Sequence, residues 1–327
     1  MRTMVTGGAG FIGSSLVERL LAEGHEVDVV DDLSTGSLAN LAGARIAAGR
    51  ALTIHQLDIR LPETADLIVR RRPSVLFHLA AQVDLGISVA EPVLEAEVNV
   101  IASLRVLEGA RAAGTDRVVF AASASVYGES DPGDLPLRES HPHRPLSTYG
   151  VSKQAVIDYL VAYRELYALE FSALVLANVY GPRQVPRGGT GVVAIFAEAL
   201  ASGTPVTIFG DGHQTRDYVF VDDVVDAFAR AATKGGGLVC NIGTGHETSV
   251  NALYRTMAAV AGARAPARHE PARPAELLRS SLDSSRAALH LGWRPWTTLE
   301  EGTAAVLEAA RARQHAPAAS EPKTGRR

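Results

Sequence analysis

Tyrosine and lysine stand four residues apart in Tyr149-Gly150-Val151-Ser152-Lys153. On a helix that spacing puts both side chains on one face. A free phenol, with a pKa of about 10, is a poor base near neutral pH. A neighbouring ammonium stabilises the phenolate and makes proton abstraction feasible. The pair recurs often by chance, so it needs company. Upstream, Ala121-Ala122-Ser123-Ala124-Ser125-Val126-Tyr127-Gly128 follows an apolar run and brings a hydroxyl, Ser123, that could meet Tyr149. The plainer reading of Ser123 is a serine that turns the chain at a strand end.

A second chemical signal lies at the start of the chain. Gly7-Gly8-Ala9-Gly10-Phe11-Ile12-Gly13 follows an apolar strand and opens a helical pattern. Gly7 and Gly10 allow a tight turn and close backbone approach to a pyrophosphate, and Gly13 lets helix and strand pack closely. The uncapped helix start offers N–H groups to that anion. Asp31 lies 24 residues beyond Gly7 at the end of the next strand, near the offset of about 20 expected of a ribose-binding acid. A carboxylate there accepts from ribose hydroxyls and repels a 2′-phosphate, which favours NAD over NADP. A plain glycine turn and a surface acid are the simpler alternatives. Asp58 ends the next strand, where a solvated loop acid is the plain reading. His78 reads as a core or sheet-end residue, and no metal is expected at any of the ten histidines.

These residues need a sheet to hold them. Thr3–Thr6, Glu26–Val30, Val75–Leu79, Arg117–Ala121 and Phe171–Leu176 read as strands. Ile12–Glu23, Val93–Ala113 and Thr148–Leu166 read as helices between them. Such alternation predicts an α/β fold, a doubly wound, mostly parallel Rossmann sheet covered on both faces. Beyond about Tyr180, Gly, Pro and Arg break up the chain, and short strands at Val206–Phe209 and Asp217–Val221 suggest a smaller C-terminal α/β lobe. The expected division is residues 1–180 for the dinucleotide, 181–313 for the substrate, with a return to the sheet near 239–242, and 314–327 as a disordered tail.

Composition narrows the class. The 327 residues carry a net charge of −4, with 32 Lys+Arg against 36 Asp+Glu, and give no electrostatic case for nucleic acid or a membrane surface. The single cysteine, Cys240, excludes an intramolecular disulfide. With no leader segment or membrane-length apolar run in the reading, the expectation is a cytoplasmic protein.

Six segments, in order, resemble a family: GGAGFIG, Asp31-Asp32-Leu33-Ser34-Thr35-Gly36, HLAAQ (His78–Gln82), SASVYG (Ser123–Gly128), YGVSK and Asn178-Val179-Tyr180-Gly181-Pro182-Arg183. From about Arg2 to Leu307 the chain is similar to the extended short-chain dehydrogenase/reductases, and within them to the NAD-dependent nucleotide-sugar 4-epimerases. The resemblance implies Tyr149 as base, Lys153 as its assistant and Ser123 as the hydroxyl. It implies bound NAD on Gly7, Gly10, Phe11, Ile12, Gly13, Asp31, Asp32, Ser34, Thr35, Gly36, Asp58, Ile59, Leu79, Ala80, Ala81, Gln82, Asn99 and Ala121, besides Tyr149 and Lys153. For a UDP-sugar it implies Ser123, Ser125, Tyr149, Asn178, Arg187, Val192, Thr207, Phe209, Arg216 and Arg273. Arg216 and Arg273 resemble phosphate-binding arginines, a role suited to the planar guanidinium fork; surface arginines are the blander reading. The family also commonly pairs through helices like 93–113 and 148–166, which implies a homodimer.

Related dehydratases and decarboxylases carry acids just after the active-site hydroxyl. Here Ala124 and Ser125 follow Ser123, which leaves 4-epimerisation or 4-reduction; a reductase would use exchangeable NAD(P)H, whereas Asp31 suggests NAD. For the sugar, Arg187 stands where short-loop relatives often have His, and a guanidinium there could hold a C6 carboxylate. The expectation is therefore UDP-glucuronate/UDP-galacturonate, with UDP-glucose/UDP-galactose as the alternative and Arg187 as a loop residue or phosphate contact the plainer reading. A non-catalytic NAD-binding sensor on the same fold is the competing class; the intact Ser123, Tyr149 and Lys153 argue against it.

Overall fold

A computed structural model of the chain describes residues 1–186, 191–272 and 277–315. The first part runs β1 (Arg2–Thr6), α1 (Phe11–Ala22), β2 (Glu26–Asp31), α2 (Ala42–Ala48), β3 (Leu52–Gln56), α3 (Pro62–Arg71) and β4 (Val75–His78). Next come α4 (Leu85–Ala90), α5 (Pro92–Ala96), a π turn (Glu97–Ile101), α6 (Ala102–Ala113), β5 (Arg117–Ser123), α7 (Thr148–Tyr167) and β6 (Glu170–Leu176). The remainder alternates short strands and helices: β7 (Asn178–Tyr180), α8 (Val192–Ser202), β8 (Thr207–Phe209), β9 (Thr215–Arg216), β10 (Tyr218–Phe220), α9 (Val221–Ala231), β11 (Leu238–Ile242), β12 (Thr248–Ser249), α10 (Val250–Ala261), β13 (Arg268–Glu270), α11 (Ser285–His290) and α12 (Leu299–His315).

Seven strands form one parallel sheet in the order β11-β6-β5-β4-β1-β2-β3. Its strands are near-continuous apolar runs because both faces are covered. Successive residues feed opposite sides. Met4, Leu76 and Val118 pack with α3, α6 and α7, while Val5, Phe77 and Val119 pack with α1, α9 and the helices beyond. The core on the α1 side continues into α8, α10 and α12, so the C-terminal segments share packing with the sheet. Strand order reverses between β1 and β4, which opens the crevice at their carboxyl ends where ligands of such sheets bind.

Several boundaries differ from the sequence reading. The helix expected over 93–113 is interrupted by the π turn at Glu97–Ile101, a local widening that a 3.6-residue period does not register. Residues 217 and 221 flank the strand β10 rather than belong to it. Helix α12 reaches His315, so residue 314 lies in its last turn; residues 316–327 lie outside the described residues. No helix among the described residues is long and apolar enough to cross a membrane.

Candidate active site

The glycine-rich turn is built from backbone contacts. Gly7 has φ +71°, and a Cβ there would sit 2.7 Å from the Ala80 nitrogen. A Cβ on Gly13 would lie 2.1 Å from the Gly7 carbonyl oxygen. Side chains are thus excluded where β1, the start of α1 and the β4 loop meet. Gly10 caps α1 without any side-chain hydrogen bond, so the first-turn amides, including those of Phe11 and Ile12, are left for an anion. This open, positively polarised helix start fits a dinucleotide pyrophosphate.

Asp31 stands beside that turn. Its Oδ2 accepts from Ala9 N at 2.8 Å and its Oδ1 from Leu33 N at 2.9 Å. Burial pushes its pKa up, against the pull of those two amides. Gly36 packs against Asp31 Oδ1 and Ala9. Asp32 accepts from the Ser34 amide and hydroxyl, and Asp32, Ser34 and Thr35 are exposed on the same loop. Asp58 is held by Arg60 in a two-pronged ion pair, Nη2 to Oδ2 at 2.6 Å, and this lowers its pKa. Ile59 is buried in the core with Met4 and Val30, so only its backbone could meet a nucleotide.

Leu79 to Gln82 lead away from β4 across the crevice. The side chains of Gln82 and Asn99 turn into the protein and meet at Glu95. Asn99 Nδ2 donates to Gln82 O and to Glu95, while its Oδ1 accepts from Gln82 N at 2.8 Å. Gln82 Nε2 donates to Asp84 O and Glu95 Oε2, both at 2.8 Å. Both amide groups have spent their hydrogens inside the protein, so they shape the loop and keep only acceptor capacity for a ligand. His78 is buried between Thr6 Oγ1 at 2.7 Å and Ser103 Oγ at 2.8 Å, and burial drives its pKa down to about 3. A neutral imidazole in the core is the result.

The catalytic candidates converge at the carboxyl end of β5. Lys153 Nζ donates to Ala121 O at 2.9 Å and lies 4.8 Å from the Phe120 ring centre and 5.7 Å from that of Tyr149. Burial lowers its pKa to about 8, with Glu95 acting the other way. Burial raises the Tyr149 pKa to about 12, and the Ser123 hydroxyl opposes the rise. Ser123 Oγ accepts from Ser125 N and from Ser125 Oγ, at 3.2 and 3.0 Å, which leaves its own proton free to be donated. Ser88 Oγ accepts from Tyr149 N at 3.0 Å, and Thr148 Oγ1 donates to Ser88 O at 2.7 Å. Ser88 thus pins the first turn of α7, a role with no local sequence signal because 61 residues separate it from Tyr149.

On the substrate side, Asn178 opens β7 and is exposed, and Thr207 and Phe209 end half-buried on β8. Val192 begins α8. Arg216 is half-buried on β9, and its Nη1 donates to Thr215 O at 2.8 Å. The adjoining Asp217 is fully buried and accepts from Thr244 N, Gly245 N and Leu282 N, which anchors the strand beside Arg216. Arg187 and Arg273 lie outside the described residues. Arg183 turns to α1, donating to Glu18 at 2.6 Å and Ser14 at 3.2 Å. The Glu18 carboxylate draws it there.

Comparison with known proteins follows this geometry. Residues 3–243 match the model of the NAD dependent epimerase/dehydratase family. The chain is 48% identical to a UDP-glucose 4-epimerase of Mycolicibacterium smegmatis over 310 residues, 94% of this chain and 98% of that one. A crystal structure of the Thermotoga maritima UDP-glucose 4-epimerase with UDP-glucose is similar at TM-score 0.91 and 40% identity, covering 96% of this chain and 100% of the other. The Thermus thermophilus UDP-glucose 4-epimerase in complex with NAD is similar at TM-score 0.87 and 39% identity, covering 95% and 99%.

Proposed function

We infer the reaction from the family: the chain belongs to the NAD dependent epimerase/dehydratase family, and it is an NAD-dependent enzyme that epimerises nucleotide-sugars at C4. We propose UDP-glucose and UDP-galactose as its substrate pair. The observation that carries this reading is the meeting of Ser123, Tyr149 and Lys153 at the carboxyl end of β5, followed by Ala124 and Ser125 where elimination would need a carboxylate.

In this reading residues 1–180 and β11 hold the dinucleotide, with the pyrophosphate at the start of α1 and the ribose at Asp31. NAD, when bound, takes up and returns the C4 hydrogen. Tyr149 takes the proton of the sugar 4-hydroxyl and returns it after the 4-keto sugar has presented its other face. Lys153 stabilises the phenolate, and Ser123 donates to the reacting oxygen. Residues 181–313 grip the nucleotide-sugar, with Arg216 and Arg273 on the diphosphate, Asn178 and Val192 near the sugar, and Thr207 and Phe209 along the uracil. Firm nucleotide binding with a loosely held sugar lets the 4-keto sugar turn without leaving.

The UDP-glucuronate/UDP-galacturonate pair takes second place. It rests on Arg187, whereas the Mycolicibacterium smegmatis and Thermotoga maritima relatives, at 48% and 40% identity, are UDP-glucose 4-epimerases. Purified protein given UDP-glucose or UDP-glucuronate separately, with mass-balanced product analysis, tests the choice. UDP-galactose from UDP-glucose is expected. Turnover of UDP-glucuronate alone overturns the hexose preference, and no epimer from either revives a non-catalytic NAD-binding protein.

A further inference from the structure

Helix α5 carries a carboxylate at a position that is 1% exposed: Glu95. Its two oxygens accept from Gln82 Nε2 at 2.8 Å and Asn99 Nδ2 at 2.5 Å. Both partners are neutral amides. An ionised carboxylate buried on neutral donors is costly unless a positive charge stands nearby. Helix α5 packs on α7, whose inner side carries Lys153 beside Tyr149, and the Glu95 charge raises the pKa of both. The elements around it add few charges. Helix α4 has no titratable side chain, the π turn carries Glu97, the preceding loop has Asp84 capping α4, and neutral His78 stands beyond Lys153.

The π turn gives this cluster its shape. Glu95 and Asn99 are four residues apart, and the widened turn lets the Asn99 amide reach Glu95 and the Gln82 backbone at once. The same carboxylate therefore fixes the loop that crosses the crevice and acts on the ammonium behind Tyr149. We propose that Glu95 is a positioning residue of the reaction, a buried countercharge that clamps Gln82 and Asn99 and keeps Lys153 an ammonium beside Tyr149. The proposal rests on the epimerase reading of Tyr149 and Lys153.

The role involves a trade. Burial pulls the Lys153 pKa to about 8, and a cationic nicotinamide nearby would lower it further. A fixed anion resists that loss of charge. It also raises the Tyr149 pKa, opposing phenolate formation. Without it, both groups must titrate at lower pH.

Glu95→Gln and Glu95→Asp test this in the NAD-loaded enzyme. In Glu95→Gln the two limbs of the kcat profile, which report the coupled ionisation of Tyr149 and Lys153, both move down by about one pH unit. Glu95→Asp, which keeps the charge, stays with the wild type. Tyrosinate absorbance, taken as the difference from Tyr149→Phe, moves down with the limbs. A Glu95→Gln enzyme that is slower but has unmoved limbs and unmoved tyrosinate absorbance overturns the countercharge. If Glu95→Gln does not fold, lysine-selective NMR of the wild type, assigned with Lys153→Met, decides: an ammonium at neutral pH is expected, and a neutral amine overturns the proposal. If the wild type epimerises no UDP-sugar, the reaction reading fails, and tyrosinate absorbance and NMR still judge Glu95 by themselves.

Discussion

At the scale of single residues, the site places its base where water is scarce. Tyr149 is pushed to about 12 by burial, which makes the isolated phenol a weaker acid than in water. The Ser123 hydroxyl opposes that rise, and the Lys153 ammonium, held by Ala121 O beside the Phe120 ring, stands near the Tyr149 ring where it stabilises a phenolate once one forms. The phenol oxygen is then the atom on which turnover depends, and binding depends on other residues. Tyr149→Phe keeps the ring and its packing and removes only that oxygen. Turnover should fall by about 10²–10⁴, the range of a lost general acid–base group, with UDP-sugar affinity and NAD content nearly unchanged. Kinetics with calorimetric binding checks this, and near-normal kcat would remove Tyr149 as the base.

At the scale of elements, the site depends on how closely β1, α1 and the β4 loop approach. A Cβ at Gly13 would meet the Gly7 carbonyl oxygen, which is backbone and cannot swing aside. Gly13→Ala should therefore cost about 1–3 kcal/mol, as overpacking does, and lower both the melting temperature and the NAD retained on purification. An unchanged melting temperature would mean that α1 shifts without strain. This contact was legible in the sequence because it is local: a strand, a glycine turn and a helix lie within thirteen residues. The parallel strands VLFHL and RVVFA were legible as apolar runs for a similar reason. The π turn was not, since an apolar helical pattern tolerates one widened turn without changing residue types. Nor were the small pairings of the C-terminal part. Thr248 with Arg216 and Arg268 with Thr207 join strands of two or three residues across long stretches of chain, and such strands leave little local pattern. The site shows the same division. Ser123, Tyr149 and Lys153 were readable from type and spacing. Ser88 and Glu95 were not, because their roles come from tertiary neighbours, and neither was the pairing of Arg183 with Glu18, 165 residues away.

At the scale of the whole molecule, one surface remains to be accounted for. Helices α6 and α7 cover the same face of the sheet, and exposed apolar residues accompany them: Val93 on α5, Ile101 in the π turn that leads into α6, and Val151, Tyr159, Val161 and Leu166 along α7. Scattered apolar side chains are ordinary on a surface, and a group of six along α5, the π turn and the outer side of α7 supports the proposal of an interface. A second copy presenting the same pair of helices would bury this face as a four-helix contact, self-complementary about a two-fold axis. The net charge of −4 is small enough to let two copies approach. The active-site groups Tyr149 and Lys153 point inward from α7 while these residues point outward, so disrupting the contact need not touch the chemistry directly. Val161→Arg with Leu166→Arg would place two cations opposite their symmetry mates, where burial of like charge costs several kcal/mol. Sedimentation should then give a dimer for the wild type and a monomer for the double variant, with far-UV circular dichroism unchanged. A wild type that sediments as a monomer at high concentration would leave this face without its second copy.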